Sequence, residues 1–220
     1  MSWTDILYPE NERKREEVYR LSQQFLEGLR SAFRVTNRLL KALNARMGCS
    51  LEPLELDEKA TVKDNCRALV DCIRRVQREV EPVERALRER LEPAVYERLL
   101  CTTTPISEKI RTLETSSKAT LEVLQGKACL MLTACIMDGR ILTRMVAVLG
   151  KVGTCMLANV AVGLIGLGVD VLISAILGAV EKRNLDLVLQ EYRALIEDFR
   201  PANEKYQDDL TYVVYKIEQD

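Results

Sequence analysis

No histidine occurs among the 220 residues. That absence removes the side chain that titrates near neutral pH, and with it the Ser–His triad, the usual general base and most zinc sites. Aromatic residues are sparse at 5 %, and only six prolines and ten glycines interrupt the chain. Such a composition favours long helices over turn-rich sheet architectures. Charge of one sign is also lacking. The net charge is −1, so there is no global field to attract nucleic acid. The balance is uneven along the chain: residues 1–127 carry 23 Lys/Arg against 21 Asp/Glu, and residues 181–220 carry 6 against 10.

The start, Met1-Ser-Trp-Thr-Asp5, has no basic stretch followed by an apolar one, so no secretory signal is expected. Asn-x-Ser/Thr acceptor sites are missing as well, in line with a cytosolic N-terminal region. The seven cysteines, at 49, 66, 72, 101, 129, 135 and 155, are odd in number and contain no CxxC pair. Free, reduced thiols serving as small core residues are the expectation. Cys155, beside the most apolar part of the chain, is a candidate for palmitoylation.

What is present in abundance is apolar length. Val152 to Val180 holds 29 residues and one charge, Asp170; the 18 residues from Val152 to Val169 carry none. At about 1.5 Å per helical residue those 18 span about 27 Å, close to the roughly 30 Å of a bilayer's hydrocarbon core. A transmembrane helix over 152–180 is therefore expected. On that helix Cys155, Asn159, Gly163, Gly166, Asp170, Ser174 and Gly178 fall on one face, and all are small or polar. Small residues let a second backbone approach closely in lipid, so this stripe is read as a membrane-helix packing face. The competing reading is a buried helix of a bundle. Asp170 has no evident intrachain partner: in a hairpin turning near Gly150–Gly153 it would face Thr133, not Arg140 or Arg144. Topology is undecided by the flanks, which carry three cations each (Arg140, Arg144, Lys151 and Lys182, Arg183, Arg193).

Heptad patterns surround this segment. A first helix over 10–47 is predicted, with Pro9 at its start, Leu26, Leu29, Phe33, Thr36, Leu40, Leu43 and Met47 on one face and Gly48 as its stop. A second starts at Thr61, where Asp64 three positions on resembles a capping box. Its apolar positions Val62, Cys66, Leu69, Ile73, Val76, Val80, Val83 and Leu87 alternate by four and three, a coiled-coil seam. Pro82 is expected to kink or break it. Residues 101–105 form a break, and an amphipathic helix over 128–151 carries Arg140, Arg144 and Lys151 on one face, suited to lipid headgroups or to solvent. A last seam runs through Leu185, Leu189, Tyr192, Ile196, Phe199, Asn203, Tyr206, Leu210, Val213 and Ile217, crossing Pro201 in phase. The expected organisation is thus an N-terminal helical coiled-coil region (1–127), an amphipathic helix (128–151), a membrane helix (152–180) and a C-terminal heptad helix (181–220).

Several segments resemble a known family. They are Leu7-Tyr8-Pro9-Glu10-Asn11 with Lys14-Arg15-Glu16-Glu17-Val18, Leu91-Glu92-Pro93 with Tyr96, Gly166-Leu-Gly-Val-Asp170 with Ala175-Ile-Leu-Gly-Ala-Val-Glu181-Lys182, and Glu204-Lys205-Tyr206. Together they are similar to the single-pass membrane and coiled-coil domain-containing protein 3 family, over nearly the whole chain. The resemblance implies a helical protein with coiled coil and one membrane helix, and it brings no catalytic activity. Pro82 within the seam departs from that pattern.

The expected fold is all-α, with long amphipathic or coiled-coil helices flanking an apolar membrane helix or helical hairpin. The expected function is non-enzymatic: a membrane-anchored coiled-coil protein whose partners are a lipid bilayer and a protein partner or second copy. Two alternatives stand beside it, a pore-forming or membrane-remodelling protein with an insertable hairpin and a soluble bundle with that hairpin buried. No catalytic, cofactor or metal site emerges. Gly163-x-x-Gly166-x-Gly168 lacks the Lys-Ser/Thr and the preceding strand of a phosphate loop, and no metal-ligand cluster, nucleic-acid site or small-molecule substrate is evident.

Overall fold

The computed structural model describes residues 9–90, 92–101, 104–105, 108–109, 111–112, 141–177 and 185–219. Among these the regular elements are helical: α1 (Pro9–Met47), α2 (Val62–Arg90), α3 (Pro93–Leu100), α4 (Ile141–Val152), a 3-10 turn (Met156–Asn159), α5 (Val162–Ile165), α6 (Val169–Leu177) and α7 (Leu185–Gln219). The described chain is all-α, and no strand occurs in it beyond an isolated antiparallel bridge between Thr61 and Ala161.

Local chemistry sets the helix ends. Pro9 opens α1 where a missing N–H costs nothing. Gly48, at φ +66°, follows its last residue in the left-handed conformation that glycine adopts most easily. Thr61 caps α2: its Oγ1 accepts the Asp64 N–H at 3.1 Å and donates to the Asp64 carboxylate at 2.6 Å. Of the two outcomes expected for Pro82, a kink or a break, the break does not occur: α2 runs through it, as α7 runs through Pro201. Both prolines are exposed, so the carbonyls they leave unpaired lie on the watered side of the helix, where solvent can satisfy them.

Helices α1 and α7 form the backbone of the molecule and run parallel. Their contacts advance together along both chains: Lys14 with Asp186, Glu17 with Arg193, Phe25 with Phe199, Thr36 with Tyr206, Arg46 with the Glu218 carbonyl. At the centre the Phe25 and Phe199 rings sit 4.5 Å apart, centroid to centroid. Deeper, Thr36 Oγ1 and the Tyr206 hydroxyl are 2.7 Å apart, and Thr36 also reaches the Ala32 carbonyl at 2.7 Å. Burial pushes the Tyr206 phenol up, so this buried pair stays neutral and hydrogen-bonded, as buried polar groups must.

The connector from α1 to α2 returns along α1 in extended form. Asn44 brackets Leu51, donating to its carbonyl at 2.7 Å and accepting its N–H at 2.9 Å. Asn37, two helical turns earlier on the same face, brackets Leu54 at 2.6 and 2.7 Å. Asn65 does the same for Asp57 from α2, at 2.9 Å both ways. These three amides replace the ladder that an extended segment otherwise lacks. Helix α2 then climbs in the direction of α1, and α4 runs against α7, with Lys151 bonded to Asp198 and the Met156 N–H to Glu191 further back.

One hydrophobic core collects all of these elements. Every α2 seam residue from Val62 through Cys66, Leu69, Ile73 and Val76 to Val80 is buried in it. So are Leu185, Leu189, Tyr192, Phe199, Tyr206, Leu210, Val213 and Ile217 of α7, with Ile196 half-buried at its edge and Asn203 buried beside it. The heptad seams are therefore spent within the molecule. The side chains of Val83 and Leu87 lie outside the described set.

At the α1–α7 crossing Gly28 lets the two helices close. A Cβ placed there would stand 2.6 Å from Phe199 Cε1 and 3.0 Å from Asn203 Nδ2, and Phe199 is held against Phe25. Gly28→Val should lower stability by about 1–3 kcal/mol in urea unfolding followed by circular dichroism. An unchanged midpoint would show that the helices are not in close contact there.

Candidate functional site

The feature that any function must explain is the apolar run. It is not one helix. From Val152 the chain turns at 153–155, makes the 3-10 turn, passes through α5, turns again at 166–168 and ends the described stretch in α6. No described helix is long and apolar enough to cross a membrane. The expectation of a continuous helix over 152–180 is corrected accordingly.

The physical reason lies outside the segment. The Val62 N–H bonds to the Val160 carbonyl at 2.9 Å, the Val162 N–H to the Ala60 carbonyl at 3.0 Å and the Gly163 N–H to the Glu58 carbonyl at 2.8 Å. The Met156 N–H bonds to the Glu191 carboxylate at 3.1 Å, and Gln23 of α1 donates to the Ile165 carbonyl. These groups take external partners in place of i→i−4 bonds, which stops a helix from propagating. Gly163 makes the approach close: a Cβ there would sit 3.1 Å from the Glu58 carbonyl oxygen, so the connector would have to give by a few tenths of an ångström.

Breaking the helix dismantles the proposed packing stripe. Cys155 caps the 3-10 turn and is half-buried; Asn159 closes that turn, exposed. Gly163 lies in α5 against the connector, and Gly166 follows α5, exposed. Asp170 and Ser174 sit exposed on α6. Gly178 falls outside the described residues. The stripe is thus spread over three short elements, mostly turned to solvent. Bulky neighbours point the other way: Leu157, Val160, Val162, Ile165, Leu172 and Ile173 are at most 3 % exposed. Within a bundle the small and polar residues take the watered side because burying the large ones stabilises more, about 1.5–3 kcal/mol for each fully buried side chain. Two large side chains escape this sorting. Leu167, in the 166–168 turn, is 66 % exposed, and Val171, in the first turn of α6, 42 %; Gly168 between them adopts φ +127°.

Asp170 does have an intrachain partner, contrary to the hairpin argument. Arg15 of α1 approaches it at 3.8 Å, and the Asp170 side chain is 92 % exposed. Water screens a pair like that to a fraction of a kcal/mol up to about 1 kcal/mol. Thr133, Arg140 and the amphipathic stretch before residue 141 lie outside the described residues. Of the cationic stripe, Arg144 is exposed and Lys151 is paired with Asp198 at 2.5 Å.

Thiol chemistry finds little support. Burial pushes the Cys66 thiol up to about 12. Cys49, Cys72 and Cys155 are raised as well, chiefly by burial, with Glu79 adding at Cys49 and Glu191 at Cys155. Raised thiols are poor nucleophiles at neutral pH. Among the described residues no three potential metal-ligating side chains converge.

Residues 14–175 match the model of a family described as "Protein of unknown function (DUF4533)". The chain belongs to this family. The DUF4533 match runs from the foot of α1 into α6 and so contains both the connector and the apolar segment bonded to it, while α7 lies beyond. No solved structure matches the chain.

Sequence reasoning missed the connector carbonyls at 58 and 60, Glu191 and Arg15 as partners of the apolar segment, and no local pattern signals them. From sequence Asp208-Asp209 reads as a solvated helix face, and this is corrected for Asp209, a carboxylate whose side chain is 7 % exposed, with Lys205 Nζ 3.1 Å from both of its oxygens and Lys109 near. Burial outweighs these cations and raises the Asp209 carboxyl above its ordinary value. A carboxylate raised on folding contributes stability when protonated and loses that contribution as pH rises through its folded value. Asp209→Asn should therefore gain stability relative to wild type between about pH 4 and pH 7. A gap that is constant or shrinking with pH, in parallel urea titrations, would contradict the burial argument.

Proposed function

We propose that the chain is a non-enzymatic helical protein that attaches to a lipid bilayer through residues 152–177, and that it keeps this segment folded in its own core away from the membrane. The observation that carries the reading is the pairing of bilayer-length apolar sequence with two large side chains left outside, Leu167 and Val171. Membrane attachment needs apolar area, about 0.8 kcal/mol per buried CH₂, and these two residues offer it without unfolding anything. This stands closer to the insertable-segment alternative than to a fixed single-pass anchor. The protein-partner role of the heptad seams is not part of it, because both seams are covered by the chain itself.

A second reading is favoured by the near-complete burial of Leu157, Val160, Val162 and Ile165: the segment is permanent core, and the chain works as a helical bundle without lipid. Flotation with vesicles of phosphatidylcholine and phosphatidylglycerol separates the two. Bilayer attachment predicts that wild type floats and that Leu167→Asp with Val171→Asp lowers partitioning at least about tenfold, about 1.4 kcal/mol, with thermal stability unchanged. Failure of the wild-type chain to float, or equal flotation of the double variant, would favour the permanent-core reading.

A further inference from the structure

The breaks in the apolar run are imposed from outside, and this has a consequence for how the segment meets a bilayer. Residues 153–168 link α4 to α6 and contain no proline; the nearest prolines are Pro105 and Pro201. Covalent structure therefore permits a continuous helix from Ile141 to Leu177, 37 residues and about 55 Å long. The sequence even carries a helical face through the breaks, from Cys155 to Gly178 at three- and four-residue spacing. What opposes the helix is the connector. Its backbone at Glu58, Ala60 and Val62 bonds to Gly163, Val162 and Val160, and the contact is tight: a Cβ at 163 would press on the Glu58 carbonyl oxygen at 3.1 Å.

We infer that connector residues 58–62 are a latch for a bilayer-binding helix. Latched, residues 153–168 stay broken, and Leu157, Val160, Val162 and Ile165 stay in the core. Leu167 and Val171 enter the lipid first. In hydrocarbon no water is present to satisfy open backbone groups, so the segment lowers its free energy by closing its own i→i−4 bonds. The three connector bonds exchange for helical ones, α4 and α6 join through 153–168, and the small-residue face reassembles on one side. The partner is a lipid bilayer. This inference rests on the membrane-attachment reading and adds the latch to it.

A disulfide across the isolated bridge tests it in the full chain. Thr61→Cys with Ala161→Cys joins the two residues that face each other there. The single variants control for native thiols. The reduced double variant, which also lacks the Thr61 cap, should bind phosphatidylcholine–phosphatidylglycerol vesicles at least as well as wild type and gain helical ellipticity at 222 nm on binding. The oxidised form should partition at least tenfold less and gain no helicity, and reductant should restore both. Gly163→Leu, which pushes on the Glu58 carbonyl, should bind several-fold more than wild type; if it fails to fold, the disulfide pair carries the test. Equal binding and equal helicity gain by oxidised and reduced forms overturn the latch and leave membrane attachment standing. Binding by the reduced form without helicity gain also overturns it. No binding by either form overturns both.

Discussion

Backbone satisfaction between two distant stretches governs this molecule. Residues 58–62 and 160–163 are extended or barely helical, with Val62, Val160 and Val162 buried and the connector exposed at 58–59, and each stretch supplies partners to the other. A buried amide or carbonyl left unpaired costs about 1–3 kcal/mol, so neither stretch can hold its shape alone. Their pairing fixes where α2 begins, since Thr61 both bridges to Ala161 and caps that helix. It also fixes how the apolar segment is cut, and hence which of its side chains are inward.

Around that contact the parallel α1–α7 pair provides the frame. Parallel neighbours cannot be joined by a short turn, so the chain between them must travel back, and the connector, α4 and the apolar segment are that return. The polar contacts on the frame grade from ion pairs at its foot (Lys14–Asp186, Glu17–Arg193) to a buried hydroxyl pair at Thr36–Tyr206. The exposed pairs add little individually. Together with the Phe25–Phe199 contact and the glycine that admits it, they set one register.

Much of the frame was legible in the sequence. Pro9, Gly48 and the Thr61–Asp64 pair mark ends that the structure keeps, and the heptad positions from Val62 to Val80 in α2 and those of α7, with Ile196 half-buried, are buried as their spacing implies. What the seams could not convey is what covers them. An a/d pattern states that an apolar stripe is buried, and it is silent on whether the cover is a second chain or α1 and α4 of the same chain. The apolar run misled for a related reason. A period of 3.6 residues describes a helix free to satisfy itself, whereas here Gly163, Val162 and Val160 answer to carbonyls and amides about a hundred residues earlier. The same distance hid Arg15 from Asp170. Pro82 does not break α2, because a proline's cost depends on whether its orphaned carbonyl meets water.

The account stands on the apolar segment being held by the connector when no lipid is present. Residue-resolved amide hydrogen exchange on the full chain in detergent-free buffer addresses this directly. The account predicts that the Val62, Val162 and Gly163 amides exchange slowly and together, with protection comparable to that of the α1–α7 core. Fast exchange at Val162 and Gly163 while α1 and α7 stay protected would contradict it.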